Sequence, residues 1–164
     1  MNSKIHIFLD IDGVLTTSYQ QNALRKNWHE EYSRYHFDKK CVMVLNEIIK
    51  KTNPHIILTS DWKYGFTIER MNEIFKLNRV NGVISDYTRS LWGIRFKTFQ
   101  ELDECRATEI LKYVEEYQVE NYIAIDDLDL SPWIDDKHFV RTLRANEGIK
   151  QTEVRDRILN ILLN

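Results

Sequence analysis

Two rhythms alternate along the chain. Short apolar runs occupy Lys4–Asp10, His55–Thr59, Gly82–Ser85, Tyr122–Ile125 and His138–Arg141. They are rich in Ile and Val around an apolar centre, the pattern of strands buried on both faces of a parallel sheet. Between them, apolar residues recur every three or four positions. Asp38 is placed to cap a helix with the stripe Val42, Val44, Leu45, Ile48 and Ile49. Lys50 and Lys51 close that helix, where cations suit the negative end of its dipole. Thr67 is placed to cap a second helix with Ile68, Met71, Ile74 and Phe75. Ala107–Tyr117 carries Ile110, Leu111, Val114 and Tyr117, and Thr152–Leu163 carries Val154, Ile158, Ile161 and Leu162. Strands alternating with helices predict a three-layer, Rossmann-like α/β fold around a central, mostly parallel five-stranded sheet. No repeat, low-complexity tract or linker breaks the pattern, so residues 1–164 are expected to form a single domain.

Composition narrows the classes. The chain is 43% hydrophobic and 29% charged, enough apolar residues for a sizeable core. Its net charge of -2 excludes a global basic field aimed at nucleic acid or anionic membrane. No segment approaches the roughly 20 apolar residues of a membrane span. The opening MNSKIHIFLD has a short apolar run that ends in acid, unlike a signal peptide, so a cytoplasmic protein is expected. Cys41 and Cys105 lie far apart and read as free thiols. His6, His29, His36, His55 and His138 show no metal-ligand spacing and read as structural or surface residues.

The acids sit at the strand ends. Asp10 and Asp12 follow the first strand in IFLDIDGVLTT; Thr59, Ser60 and Asp61 follow the second; Asp126 and Asp127 follow the fourth in YIAIDDLDL. In a parallel sheet these groups share the carboxyl edge, where ligands bind. Four carboxylates there repel one another unless a hard cation sits among them. Oxygen-only ligands suit Mg2+.

Four features together resemble the haloacid dehalogenase-like (HAD) phosphohydrolases. These are DxDGVL after the first strand, Thr/Ser after the second, a basic residue at a later helix start, and an acidic pair after the next strand. Thr59-Ser60-Asp61-Trp62-Lys63, Arg106-Ala107-Thr108-Glu109-Ile110 and Ile125-Asp126-Asp127 are similar to segments of the small HAD domain found in RNA-repair proteins. The order also separates the chain from bacterial receiver domains, in which the acidic pair comes first. The resemblance implies that Asp10 is a nucleophile forming an aspartyl-phosphate. It implies that Asp12 protonates the leaving oxygen and then activates water. It implies Mg2+ held by Asp10, the Asp12 backbone carbonyl and Asp126, with Asp127 direct or through water. Thr59, with Ser60 as the alternative, is expected to donate to a phosphoryl oxygen. Arg106 and Lys63 compete for the basic role, and Gly13 is expected to turn the chain sharply beside the phosphate.

Between Thr16 and Phe37 only about 22 residues precede the next helix, a flap and not a folded cap. The domain is therefore expected to be essentially capless, open to a phosphate on a large substrate. Tyr19, Arg25, Lys26, Trp28, Tyr32, Arg34, Tyr35 and Phe37 make the flap aromatic and basic, as single-stranded nucleic-acid surfaces are. Packing of these rings onto the body is the competing reading. Arg89, Trp92, Arg95 and Lys97 form a second candidate rim. A phosphohydrolase acting on nucleotide or nucleic-acid phosphates is expected; a non-catalytic phosphate-binding module and a phosphotransferase or mutase are the alternatives.

Overall fold

The computed structural model describes residues 4–17, 36–91, 98–143 and 146–163. The apolar runs pair as strands β1 (His6–Leu9), β2 (His55–Leu58), β3 (Ile84–Tyr87), β4 (Tyr122–Asp126) and β5 (Phe139–Arg141). They form one sheet in the order β3-β2-β1-β4-β5, with every neighbouring pair parallel. Helices α1 (Lys39–Thr52), α2 (Ile68–Leu77), α3 (Phe99–Glu116) and α4 (Thr152–Leu163) flank it. Side chains alternate across the sheet. Ile7 and Leu9 enter a core with Leu45 of α1, Ile74 of α2 and Ile158 of α4. Phe8 enters the opposite core with Ile110 and Tyr113 of α3. Both faces are thus buried, which is why the strands read as nearly continuous apolar runs. The fold is the expected α/β Rossmann-like one.

The order of the strands places the site. The chain winds outward from β1 to β2 and β3, then returns past β1 to β4. The connections diverge between β1 and β4, opening a crevice at the carboxyl ends of those strands. Asp10 follows β1 there and Asp126 ends β4. His6 and His55 begin β1 and β2 and meet edge-on at 5.1 Å, at the opposite sheet edge.

Asp38 caps α1 through the Lys40 and Cys41 amides, and Thr67 caps α2 through the Arg70 amide. Two elements differ from expectation. α3 starts at Phe99 and not at Ala107, because Thr98 and Glu101 form a capping box. Its first turns lack an apolar stripe, and Phe99 is 86% exposed, so periodicity misses them. Arg106 therefore lies inside a helix and not at its start. β3 is Ile84–Tyr87 and not Gly82–Ser85. Asp86 lies within it, accepting from the Tyr113 hydroxyl at 3.0 Å, and that polar residue hides the strand. Cys41 and Cys105 are both free and buried.

Candidate active site

The backbone of the sheet brings the acids together. The Asp10 amide donates to the Ile125 carbonyl at 3.0 Å, tying the end of β1 to β4. Asp10, Asp126 and Asp127 offer carboxylate oxygens that all lie within 4.8 Å of one another. Asp10 is 5% exposed and Asp126 fully buried. Burial, and then the Asp126 charge, hold the Asp10 carboxyl well above the usual carboxylate range. The same two causes push Asp127 up to about 6. Gly13 makes room for this cluster. Its φ is +76°, and a Cβ there would stand 2.4 Å from Asp127 Oδ2. Any other residue would meet both backbone strain and a collision with that carboxylate.

One cation enters the acidic cluster. Arg106 is almost fully buried, with Nη1 2.7 Å from Asp126 Oδ2 and 3.3 Å from Asp10 Oδ1. Its Nη2 reaches Asp61 Oδ1 at 3.0 Å. These carboxylates raise its pKa further, against the opposing effect of burial. Lys63, the rival basic residue, is engaged elsewhere. Its Nζ pairs with Glu109 and lies 3.1 Å from Thr88 Oγ1, with both ionic side chains buried.

The remaining groups surround Asp10. The Ser60 hydroxyl bonds to its carboxylate and lowers its pKa, opposing the larger effect of burial. The Thr59 amide donates to the Leu9 carbonyl at 3.0 Å, which sets Thr59 level with Asp10 in the sheet. Thr59 is fully buried. Among the described residues, its Oγ1 alone is a buried side-chain oxygen or nitrogen without a hydrogen-bond partner. Asp12 is exposed. Its Oδ1 accepts from Thr16 Oγ1 at 2.8 Å and its Oδ2 from Trp62 Nε1 at 2.9 Å.

A family model described as the HAD domain in Swiss Army Knife RNA repair proteins matches residues 6–154. The chain belongs to this family. No curated protein and no solved structure matches the chain significantly. Membership places this HAD domain in a superfamily of phosphohydrolase type, whose members generally use Mg2+.

The donor set fits such an ion. Octahedral Mg2+ holds its oxygens at about 2.0–2.1 Å, so they stand about 3–4 Å from one another. Three carboxylates gathered within 4.8 Å approach that spacing, and the raised proton affinity of Asp10 and Asp127 marks a place short of positive charge.

Most candidates from the sequence therefore converge on one crevice: Asp10, Asp12, Gly13, Thr59, Ser60, Arg106, Asp126 and Asp127. Lys63 stands beside them in a separate buried pair. Sequence reasoning missed the contacts of Asp61 and Trp62, although both lie in the TSDWK segment; the signal there was the segment itself, without the partners. It also missed Arg141, whose Nε donates to the Asp127 carbonyl at 2.9 Å. Of the flap aromatics, Phe37 is described and buried against Phe75. Tyr19, Arg25, Lys26, Trp28, Tyr32, Arg34 and Tyr35 lie outside the described residues, as do Trp92, Arg95 and Lys97 of the second rim.

Proposed function

We propose that this HAD domain is a Mg2+-dependent phosphohydrolase acting through an aspartyl-phosphate on Asp10. The observation that carries the proposal is the buried, unpartnered hydroxyl of Thr59 beside a carboxylate paired with Arg106. Leaving a buried hydroxyl unsatisfied costs about 1–3 kcal/mol, a cost that a phosphoryl oxygen accepting from it would offset.

An Asp10 oxygen attacks phosphorus as the bond to the leaving oxygen breaks, and Asp12 gives its proton to that oxygen. In the second half Asp12 takes a proton from water, the water oxygen attacks phosphorus, and the phosphorus–Asp10 bond breaks. Both carboxylates return to their starting forms. Thr59 and Ser60 orient the phosphoryl oxygens and the nucleophile, and Arg106 offsets charge on Asp10 and Asp126. Mg2+, when bound by Asp10, Asp126, Asp127 and the Asp12 carbonyl, supplies the charge that lets an anionic nucleophile meet an anionic phosphate.

The substrate class we propose is a phosphate on a nucleotide or nucleic acid. The RNA-repair setting of the family supports it, as does Phe99, an aromatic ring 86% exposed at the start of the helix that carries Arg106. On this proposal residues 1–164 work as one essentially capless cytoplasmic domain. Remote parts of a large substrate then supply the binding energy that a cap supplies elsewhere.

The test uses p-nitrophenyl phosphate and phosphorylated oligonucleotides. Asp10→Asn is expected to abolish both phosphoenzyme and turnover. Equal phosphoenzyme in wild type and Asp10→Asn refutes the mechanism. For the substrate, kcat/KM on a 3′- or 5′-phosphorylated oligonucleotide is compared with that on the mononucleotide at fixed salt. Trp28→Ala and Arg25→Ala are expected to lower only the first. If mononucleotides or sugar phosphates react as well, and both variants are silent, the nucleic-acid assignment falls while the phosphatase assignment stands.

A further inference from the structure

Asp12 faces an unusual demand. An acid–base group has to stand within about 2.6–3.2 Å of the oxygen it serves, in both halves of the reaction. Yet its side chain is exposed, past the carboxyl end of β1. Two donors orient it, one on each carboxylate oxygen: Thr16 at 2.8 Å and the Trp62 indole at 2.9 Å.

Trp62 is itself packed against two rings. Its ring packs on Phe37 at 5.9 Å and on Phe66 at 5.7 Å. Phe37 is buried and packs edge-on against Phe75 of α2. Trp62 lies in the 3-10 turn Asp61–Tyr64, capped by Ser60. All four residues of the turn are tethered to a different place. Asp61 holds Arg106, Trp62 holds Asp12, Lys63 holds Glu109 and Thr88, and the Tyr64 hydroxyl donates to Ser90 at 3.0 Å. One short turn therefore spans the clamp on Asp10, through Arg106, and the acid–base residue.

We infer that Trp62 is the positioning residue for Asp12, and that the Asp61–Tyr64 turn fixes the acid–base carboxyl relative to the nucleophile. This inference rests on the phosphohydrolase proposed above. The indole is suited to the task. It has one N–H, no acceptor and no charge, so it orients Oδ2 and leaves that oxygen's other lone pair for the transferred proton.

The experiment is single-turnover kinetics with p-nitrophenyl phosphate and Mg2+. Its good leaving group makes the first step nearly independent of Asp12, so the second step, which needs Asp12 as base, is isolated. Trp62→Phe keeps a ring against Phe37 and Phe66 but removes the N–H. It is expected to slow dephosphorylation about tenfold or more, so that phosphoenzyme accumulates, with the phosphorylation rate little changed. In an Asp12→Asn background the same substitution is expected to have almost no further effect, since residues acting as a unit are not additive. Replacing Trp62 by 3-benzothienylalanine, which exchanges the N–H for sulfur in the same bicyclic shape, is expected to reproduce the defect if Trp62→Phe folds poorly. Thr16→Val is expected to slow the same step. A wild-type dephosphorylation rate in either Trp62 variant overturns the inference, as does an equal slowing with and without Asp12. A wild-type chain that forms no Asp10-dependent phosphoenzyme overturns the phosphohydrolase proposal itself, and the positioning role with it.

Discussion

Valine at position 59 would keep the branched shape of threonine and remove its hydroxyl. In most buried sites that loses a hydrogen bond and costs stability. Here Oγ1 is buried with no partner, so Thr59→Val removes an uncompensated polar atom. Such an atom costs about 1–3 kcal/mol, and exchanging it for a methyl group is expected to recover about 1 kcal/mol in the metal- and phosphate-free protein. For a chain of this size that is a rise in Tm of about 2–4 °C. Activity is expected to move the other way. A hydrogen bond to a charged phosphoryl oxygen is worth about 1.5–3 kcal/mol, so kcat/KM is expected to fall about 10- to 150-fold. Thermal denaturation followed by circular dichroism, and initial rates on p-nitrophenyl phosphate, measure the two effects. Inorganic phosphate with Mg2+ should raise the Tm of the wild type more than that of the variant. A fall in Tm beyond about 4 °C would show that the hydroxyl has a structural partner. An unchanged kcat/KM would show that it never meets the phosphate. Either result refutes the role given to Thr59.

Two more outcomes follow from the buried charges. The side chains of Lys63 and Glu109 are 4% and 2% exposed, so Lys63→Met should cost about 3–5 kcal/mol in urea unfolding, with much of that loss recovered by adding Glu109→Leu; a cost below about 1 kcal/mol, or additive losses, would leave Lys63 free to serve as a substrate ligand. Asp10 and Asp127 both have pKa values raised in the folded state above the ordinary 3.8, so the folded state holds their protons more tightly. For Asp127, raised to about 6, that contribution to stability is complete below about pH 3.8 and is lost as pH rises through about 6. Mg2+ competes with those protons. Its stabilising shift in Tm should therefore be small at pH 5 and grow toward pH 7, whereas a shift independent of pH would place the ion elsewhere.

Much of the architecture follows from neighbours along the chain. Short continuous apolar runs and period-3.6 stripes mark which residues enter a core, so β1, β2, β4, α1, α2 and α4 were legible, as were the caps Asp38 and Thr67. The common edge of Asp10, Asp12, Asp126 and Asp127 was legible too, because in a parallel sheet every strand ends on the same side. Where a polar residue entered a strand, as Asp86 does in β3, or a helix began without an apolar stripe, as α3 does at Phe99, the pattern failed. The choice of partners could not be read at all. Arg106 and Lys63 are both cations near the same motifs, yet one meets Asp10 and the other Glu109. Trp62 stands 50 residues from the Asp12 it holds. Such pairings depend on strand order, which sets β2 beside β1 and β4 on its other side, and on the turn that leaves β2. A sequence reports how each residue relates to its near neighbours; which distant side chains share a crevice is decided only when the sheet closes its order.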